Sequence, residues 1–118
     1  MSAESDLYAV LAAQCPRVFP DFASLDTARP YVTYQKIGGR PIVTFNKLVP
    51  NKTFSMYQIN VWADTRVQAD TLAWQIDSAM RLATVFDAKP ETDPVSVFEE
   101  DEPNLRGTRQ DFAVISNR

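Results

Sequence analysis

Large apolar side chains alternate along the segment from Phe54 to Trp62, and this two-residue period is typical of a strand. Both faces of the predicted strand carry apolar residues. One face holds Tyr57, Ile59 and Val61, and the other holds Phe54, Met56 and Trp62, interrupted by Gln58 and Asn60. A sheet with helices on one side usually exposes its other side to solvent. The apolar residues on the second face therefore indicate that another layer or another chain buries it.

The apolar spacing changes to three and four residues directly after this strand, which predicts a helix lying back across the sheet. Asp64 or Thr65 can cap its first turn, and the pattern continues to about Thr84. The apolar positions of this helix are Val67, Leu72, Ile76, Ala79, Met80 and Ala83.

The rest of the chain offers shorter elements. A first helix near 5 to 15 is predicted to begin at the capping residue Ser5 and to be stopped by Pro16. A strand from Tyr31 to Ile37 is predicted to end in a turn at Gly38-Gly39, with "PIVTF" as a second, shorter strand. Later strands are expected in "VSVFEE" and in "GTRQDFAVIS", joined through the acidic connector "DEPNLRG".

The connecting segments contain prolines and polar residues. Residues 16 to 30 suit an ordered loop pinned by Phe19 and Phe22, and 46 to 53 an exposed loop or the tip of a long hairpin. The element order α, β, β, β, α, β, β predicts one α+β domain over residues 1–118. We expect a small, largely antiparallel sheet of four to five strands with two helices packed on one face.

Composition narrows the possible functions. With 118 residues, 45% hydrophobic and 23% charged, the chain can form one globular core. The net charge of −3 and a pI of about 4.8 disfavour non-specific binding to nucleic acid or to an anionic membrane. The first residues lack a basic, apolar leader, and no stretch approaches the length that spans a bilayer, so we expect a soluble protein that is not exported.

The sequence contains few of the residue types that usually carry catalysis or bind metals. The chain has no histidine and one cysteine, Cys15, which excludes histidine-dependent triads and zinc sites with several thiolates. The acidic run Glu99, Glu100, Asp101 and Glu102 offers oxygen ligands for magnesium or calcium. It lacks the spacing of an EF-hand loop, and a solvated acidic edge is the favoured interpretation.

Two hypotheses explain what buries the second apolar face. Either the loops 16 to 30 and 46 to 53 fold over it, or another chain covers it. Under the second hypothesis the candidates for subunit contacts are Tyr34, Phe54, Met56 and Trp62. The competing hypothesis is a monomeric module that binds a small ligand near Trp62 and Trp74.

Five segments, in this order, resemble the small tail-completion proteins of long-tailed bacteriophages and prophages, the tail-terminator or tail-to-head joining group. They are "LYAVLAA", "VFPDFA", "ARPYVTYQKIGGRP", "YQINVWADTRVQADTLAWQIDSAM" and "GTRQDFAVIS".

The resemblance implies a structural virion protein rather than an enzyme, with no cofactor. It implies an α+β subunit that assembles into a six-fold ring at the head-proximal end of the tail. Such a ring stops polymerisation of the tail-tube protein, docks to the head connector protein and leaves a channel through which DNA passes without specific binding. The expected location is the virion tail, and the host cytoplasm during assembly. An acidic average charge agrees with such a channel.

Overall fold

The computed structural model describes residues 3–24, 26–43, 45–46, 48–99 and 102–117, the last range without the side chain of Pro103. Two helices and six strands are present in these ranges. In chain order they are α1 (Ala3–Ala12), β1 (Val18–Pro20), β2 (Tyr31–Arg40), β3 (Lys52–Ala63), α2 (Arg66–Leu82), β4 (Asp87–Pro90), β5 (Val95–Glu99) and β6 (Glu102–Asn117).

The strands form a single sheet in the order β1-β2-β3-β6-β4, and β5 also pairs with β6. Only the short β1–β2 pairing is parallel. The long β6 pairs with β3 from Arg106 to Asn117 and holds β5 and β4 in succession along its other edge. The predicted α+β class with two helices on one face is confirmed, with six strands where four to five were expected.

The second helix forms where the apolar spacing predicts it. The Thr65 hydroxyl accepts a hydrogen bond of 3.1 Å from the Gln68 amide, so Thr65 is the N-cap. The helix ends at Leu82, two residues before the predicted end, because the backbone of Ala83 is extended. Its inward face buries Ala69, Leu72, Ala73, Ile76, Asp77 and Met80 against β3, β6 and β4.

The first helix is displaced from its prediction. It covers Ala3–Ala12 instead of 5 to 15, so Ser5 lies inside the helix and is not its N-cap. Leu7 and Leu11 are buried in the core between this helix, α2 and the sheet. The Cys15 amide donates to the Leu11 carbonyl at 3.0 Å, and its buried thiol lies in the turn that follows the helix.

The β2–β3 hairpin is longer than the sequence indicates. The predicted turn at Gly38-Gly39 is wrong, because β2 continues through both glycines to Arg40 with a bulge between Lys36 and Gly38. A Cβ on Gly39 would lie 2.6 Å from the Phe54 carbonyl oxygen, so the close approach of the two strands requires glycine there. The predicted short strand "PIVTF" is also wrong for its described residues, which lie in the connection.

Side-chain contacts fix two connecting segments, the loop before β2 and the connection between β4 and β5. Arg29 lies 3.1 Å from Asp64 and 3.6 Å from Glu102, so the loop before β2 is joined to both the start of α2 and the start of β6. On the other side, Gln110 on β6 donates to buried Asp77 at 2.8 Å and to the Thr92 carbonyl at 2.9 Å. This second group fixes the connection between β4 and β5 against α2.

Candidate functional site

The strand β3 divides its residues between a helix-covered face and an open face. Ser55, Tyr57, Ile59, Val61 and Ala63 are buried beneath the helices, while the residues between them are partly exposed. Three of the four predicted contact residues, Phe54, Met56 and Trp62, lie on the open face. Their strand neighbours there include Ile115, which is exposed, and Ala113, which is buried.

The fourth predicted contact residue, Tyr34, lies on the other face. It pairs with Ile59, is only 5% exposed and belongs to the core cluster. The alternation along β2 puts Tyr31 and Thr33 on the open face instead, opposite Trp62 and Asn60. The structure therefore places three of the four residues on the same face of β3, with Trp62 six residues along the strand from Met56, and the role of all four in subunit contacts stays a prediction.

The Trp62 end of the open face is covered by the loop before β2. Phe19 packs edge-on against Tyr31 with ring centroids 6.4 Å apart, and residues 21–23 border the cavity that Trp62 lines. Tyr31, Thr33 and Leu105 are consequently buried. Phe22, expected to pin this loop, is instead 81% exposed. Loop 16–30 therefore covers part of the open face, as one of the two hypotheses predicted.

Trp62 lies flat on β6 because residue 107 is glycine. A Cβ on Gly107 would lie 2.6 Å from Cε3 of Trp62 and 3.0 Å from the Val61 carbonyl oxygen. Real Cβ atoms do not approach other atoms so closely, so any side chain there would displace the indole ring. Gly107 thus fixes the position of the largest side chain on the open face.

We define the arm as the described residues of 35–53, namely 35–43, 45–46 and 48–53, which comprise the outer half of β2, its connection to β3 and the first residues of β3. The burial of β2 changes abruptly, from buried at Tyr31 to Tyr34 to exposed at every residue from Gln35 to Arg40. The arm contributes to an elongated molecule of 54 × 26 × 23 Å. Along Gln35 to Arg40, β2 is an edge strand: β3 pairs with its inner edge and β6 and β4 continue the sheet beyond β3, while no described strand pairs with its outer edge.

The arm carries large apolar side chains that the subunit does not bury. Phe45 is fully exposed and Val43 is 82% exposed, and Ile37, Ile42 and Val49 are exposed as well. Sequence reasoning did not select these residues. The signal that could have found them is the density of apolar residues between Pro41 and Pro50, a segment too short to form a core of its own.

A third apolar surface lies on the outer side of α2. Val67, Trp74 and Leu82 are exposed, and Trp74 and Leu82 border a shallow groove together with Gln14 and Ala79. Trp62 and Trp74 lie on opposite sides of the sheet and line different cavities. The structure therefore does not bring these two residues together in the single ligand pocket that the competing hypothesis requires.

The acidic run expected near 99 to 102 is only partly described, since Glu100 and Asp101 lie outside the described residues. Glu102 pairs with Arg29, and Glu99 borders the cavity lined by Trp62. Among residues 3–24, 26–43, 45–46, 48–99 and 102–117, no three histidine, cysteine or acidic side chains are close enough to hold a metal ion.

Three tyrosines have altered acidity. Burial raises the pKa of Tyr57 above its usual value, and the nearby Glu4 carboxylate acts in the same direction. Burial likewise raises the pKa of Tyr34, with Glu4 again contributing. The pKa of Tyr31 is also raised by burial, against the opposing effect of Arg29. These shifts keep the hydroxyls neutral, and they report packing rather than a reactive site.

In the part of the chain that is described, no helix is long and apolar enough to cross a membrane.

Comparison with known proteins gives one family and one fold. The family model described as "Tail completion protein gp17" matches residues 1–115. One solved structure is similar over 100% of this chain and 97% of its own, with a TM-score of 0.56 and 12% sequence identity. At that identity the likeness supports the fold alone. No curated protein matches the chain.

Proposed function

The chain belongs to the tail completion family of phage proteins, and from this premise we propose that it forms a ring at the head-proximal end of a phage tail. Its family gives it a structural role in phage tail assembly. We propose that the ring ends polymerisation of the tail-tube protein and joins the tail to the head connector protein.

The observation that carries this proposal is the apolar arm. Val43 and Phe45 are exposed to water in the subunit, although burying each such side chain would be worth about 1.5–3 kcal/mol. Several exposed apolar side chains close together along one segment support a site of protein contact. Partner chains that bury the arm are expected for a protein whose role is to be assembled.

The proposed assembly is a closed ring of identical subunits. Identical subunits joined head to tail need two different contact surfaces, and a ring closes when the rotation between them divides a full turn. We propose six subunits around a channel through which DNA passes. A net charge of −3 per subunit disfavours tight binding of the DNA backbone, so the DNA can slide. Assembly would take place in the host cytoplasm.

A tube-termination assay tests the proposal. The tail-tube protein of the same phage is polymerised with and without the purified chain, and tube lengths and tube ends are recorded by electron microscopy. We expect shorter tubes whose ends carry a ring. Tubes that lengthen at an unchanged rate, with bare ends at saturating concentrations of the chain, would contradict the proposal.

A further inference from the structure

The two lateral edges of the sheet have opposite charge. The described residues of the arm include Lys36, Arg40 and Lys52 and no acidic residue. The opposite edge consists of β4, β5 and the connection between them, residues 87–99, which we call the acidic edge. It contains Asp87, Glu91, Asp93 and Glu99 against a single base, Lys89. The chain is therefore basic on one flank and acidic on the other.

These charges cannot neutralise each other within one subunit. The strand order places β3 and β6 between β2 and the acidic edge. Three strand spacings of about 4.8 Å separate the two edges by roughly 14 Å, which is more than the screening length of about 8 Å in physiological salt. The two flanks therefore do not compensate each other, and each can attract an oppositely charged surface outside its own subunit.

Both flanks are also open in the structure. Among the described residues only β1 pairs with the outer edge of β2, and this pairing stops at Tyr34. On the acidic edge, the described pairings of β4 and β5 are all with β6. Exposed apolar residues accompany the charges on each side: Val43 and Phe45 on the arm, and Val95 and Phe98 on β5.

We propose that the arm of one subunit docks on the acidic edge of the next copy of the chain. The inference rests on the proposed ring and specifies its contact. One chain carries both members of a complementary pair of surfaces, on opposite flanks, which is the arrangement that a head-to-tail ring requires. Charge selects the register of the contact, and the apolar side chains beside it are buried when the contact forms.

Charge reversal tests the contact. Lys36 and Arg40 are exposed on the arm, and Glu91 and Asp93 are exposed on the acidic edge. The arm variant is K36E/R40E and the edge variant is E91K/D93K. In a ring made of either variant alone, the arm of each subunit would meet a neighbouring edge of the same charge. We expect each variant alone to associate at least about tenfold more weakly than the unmodified chain in sedimentation velocity, since like charges facing each other disfavour the contact.

Mixing the two variants provides the decisive result. The acidic arm of one variant meets the basic edge of the other, and the basic arm meets the acidic edge, so a 1:1 mixture is expected to form rings again with the two chains alternating. Native mass spectrometry should then show equal numbers of each. This rescue also shows that both variants are folded.

The control is Q75K, which adds one exposed charge on the outer side of α2, away from both flanks. Full association of Q75K supports the inference. Undiminished rings of either double variant, or a mixture that does not recover, would overturn the docking contact while leaving the ring itself standing. Rings absent from the unmodified chain, both in solution and on tail-tube ends, would instead overturn the proposed function.

Discussion

The helix-covered face of the sheet and the arm are built from the same kinds of side chain but differ completely in exposure. Phe112 on the covered face is 0% exposed, whereas Phe45 on the arm is fully exposed. The first stabilises the fold of one subunit. The second contributes little to that fold, and its apolar surface becomes favourable only when another protein covers it.

The subunit divides its apolar residues between an enclosed core and an exposed arm. The helices, β3 and β6 form a core sufficient for one subunit, with Leu7, Ile59 and Ile76 fully enclosed. The arm leaves its apolar residues exposed, and we propose that they serve contacts between chains. Substitutions in the two regions should therefore affect different measurements.

The largest effect is expected from Phe112→Ala. Removing this enclosed ring should lower the free energy of unfolding by about 3–5 kcal/mol, because a cavity remains in the core. Urea unfolding monitored by circular dichroism measures the loss. The matched change Phe45→Ala should alter the free energy of unfolding by less than about 0.5 kcal/mol. Equal losses in the free energy of unfolding for the two variants would contradict the assignment of Phe112 to the core and Phe45 to the exposed arm.

A smaller effect is expected from Gly107→Ala. The new Cβ would overlap the Trp62 ring, and we expect a loss of about 1–3 kcal/mol in the free energy of unfolding. Gly38→Ala, at the root of the arm, is the control, because its nearest neighbour, the Met56 Cβ, would lie 3.9 Å away. That variant should be neutral or slightly stabilised. A greater loss at Gly38 than at Gly107 would mean that the packing of Trp62 is not fixed as described.

The smallest effect concerns pH and the core tyrosines. Burial raises the pKa of Tyr57 in the folded state, so the folded protein favours the neutral phenol. The resulting stability is present below the unfolded pKa of about 10 and is lost as pH rises above it toward the folded pKa. Tyr57→Phe should lose less stability between pH 9 and about 11 than the unmodified chain, as measured by urea unfolding. An identical decline in both proteins would show that Tyr57 does not contribute.

The covered face was largely predictable from the sequence. The alternation along β3, the helical spacing of α2 and the cap at Thr65 are local signals, and the structure confirms them. The faces of β2 were not predictable, because Tyr31, Val32 and Tyr34 are all apolar enough for either side. Their placement is fixed only by the pairing with β3.

The arm and the short edge strands were missed for a related reason. β1 and β4 contain three and four residues and form only against strands distant in sequence, β2 and β6. Gly38-Gly39 indicates a turn locally, but pairing with β3 extends the strand through both residues. Long-range pairing thus overrides local preference in the region that the proposed assembly uses.

We propose that the arm serves contact between subunits, and substitutions that remove apolar surface from the arm alone test this role. Sedimentation velocity across a concentration series, with and without tail-tube ends, should show that Val43→Ser with Phe45→Ser abolishes ring formation while the free energy of unfolding is unchanged. The control, Val67→Ser with Leu82→Ser, removes two similarly exposed residues from α2 and should assemble normally. Rings that survive the arm substitutions, or that are lost equally in the α2 control, would contradict the claim.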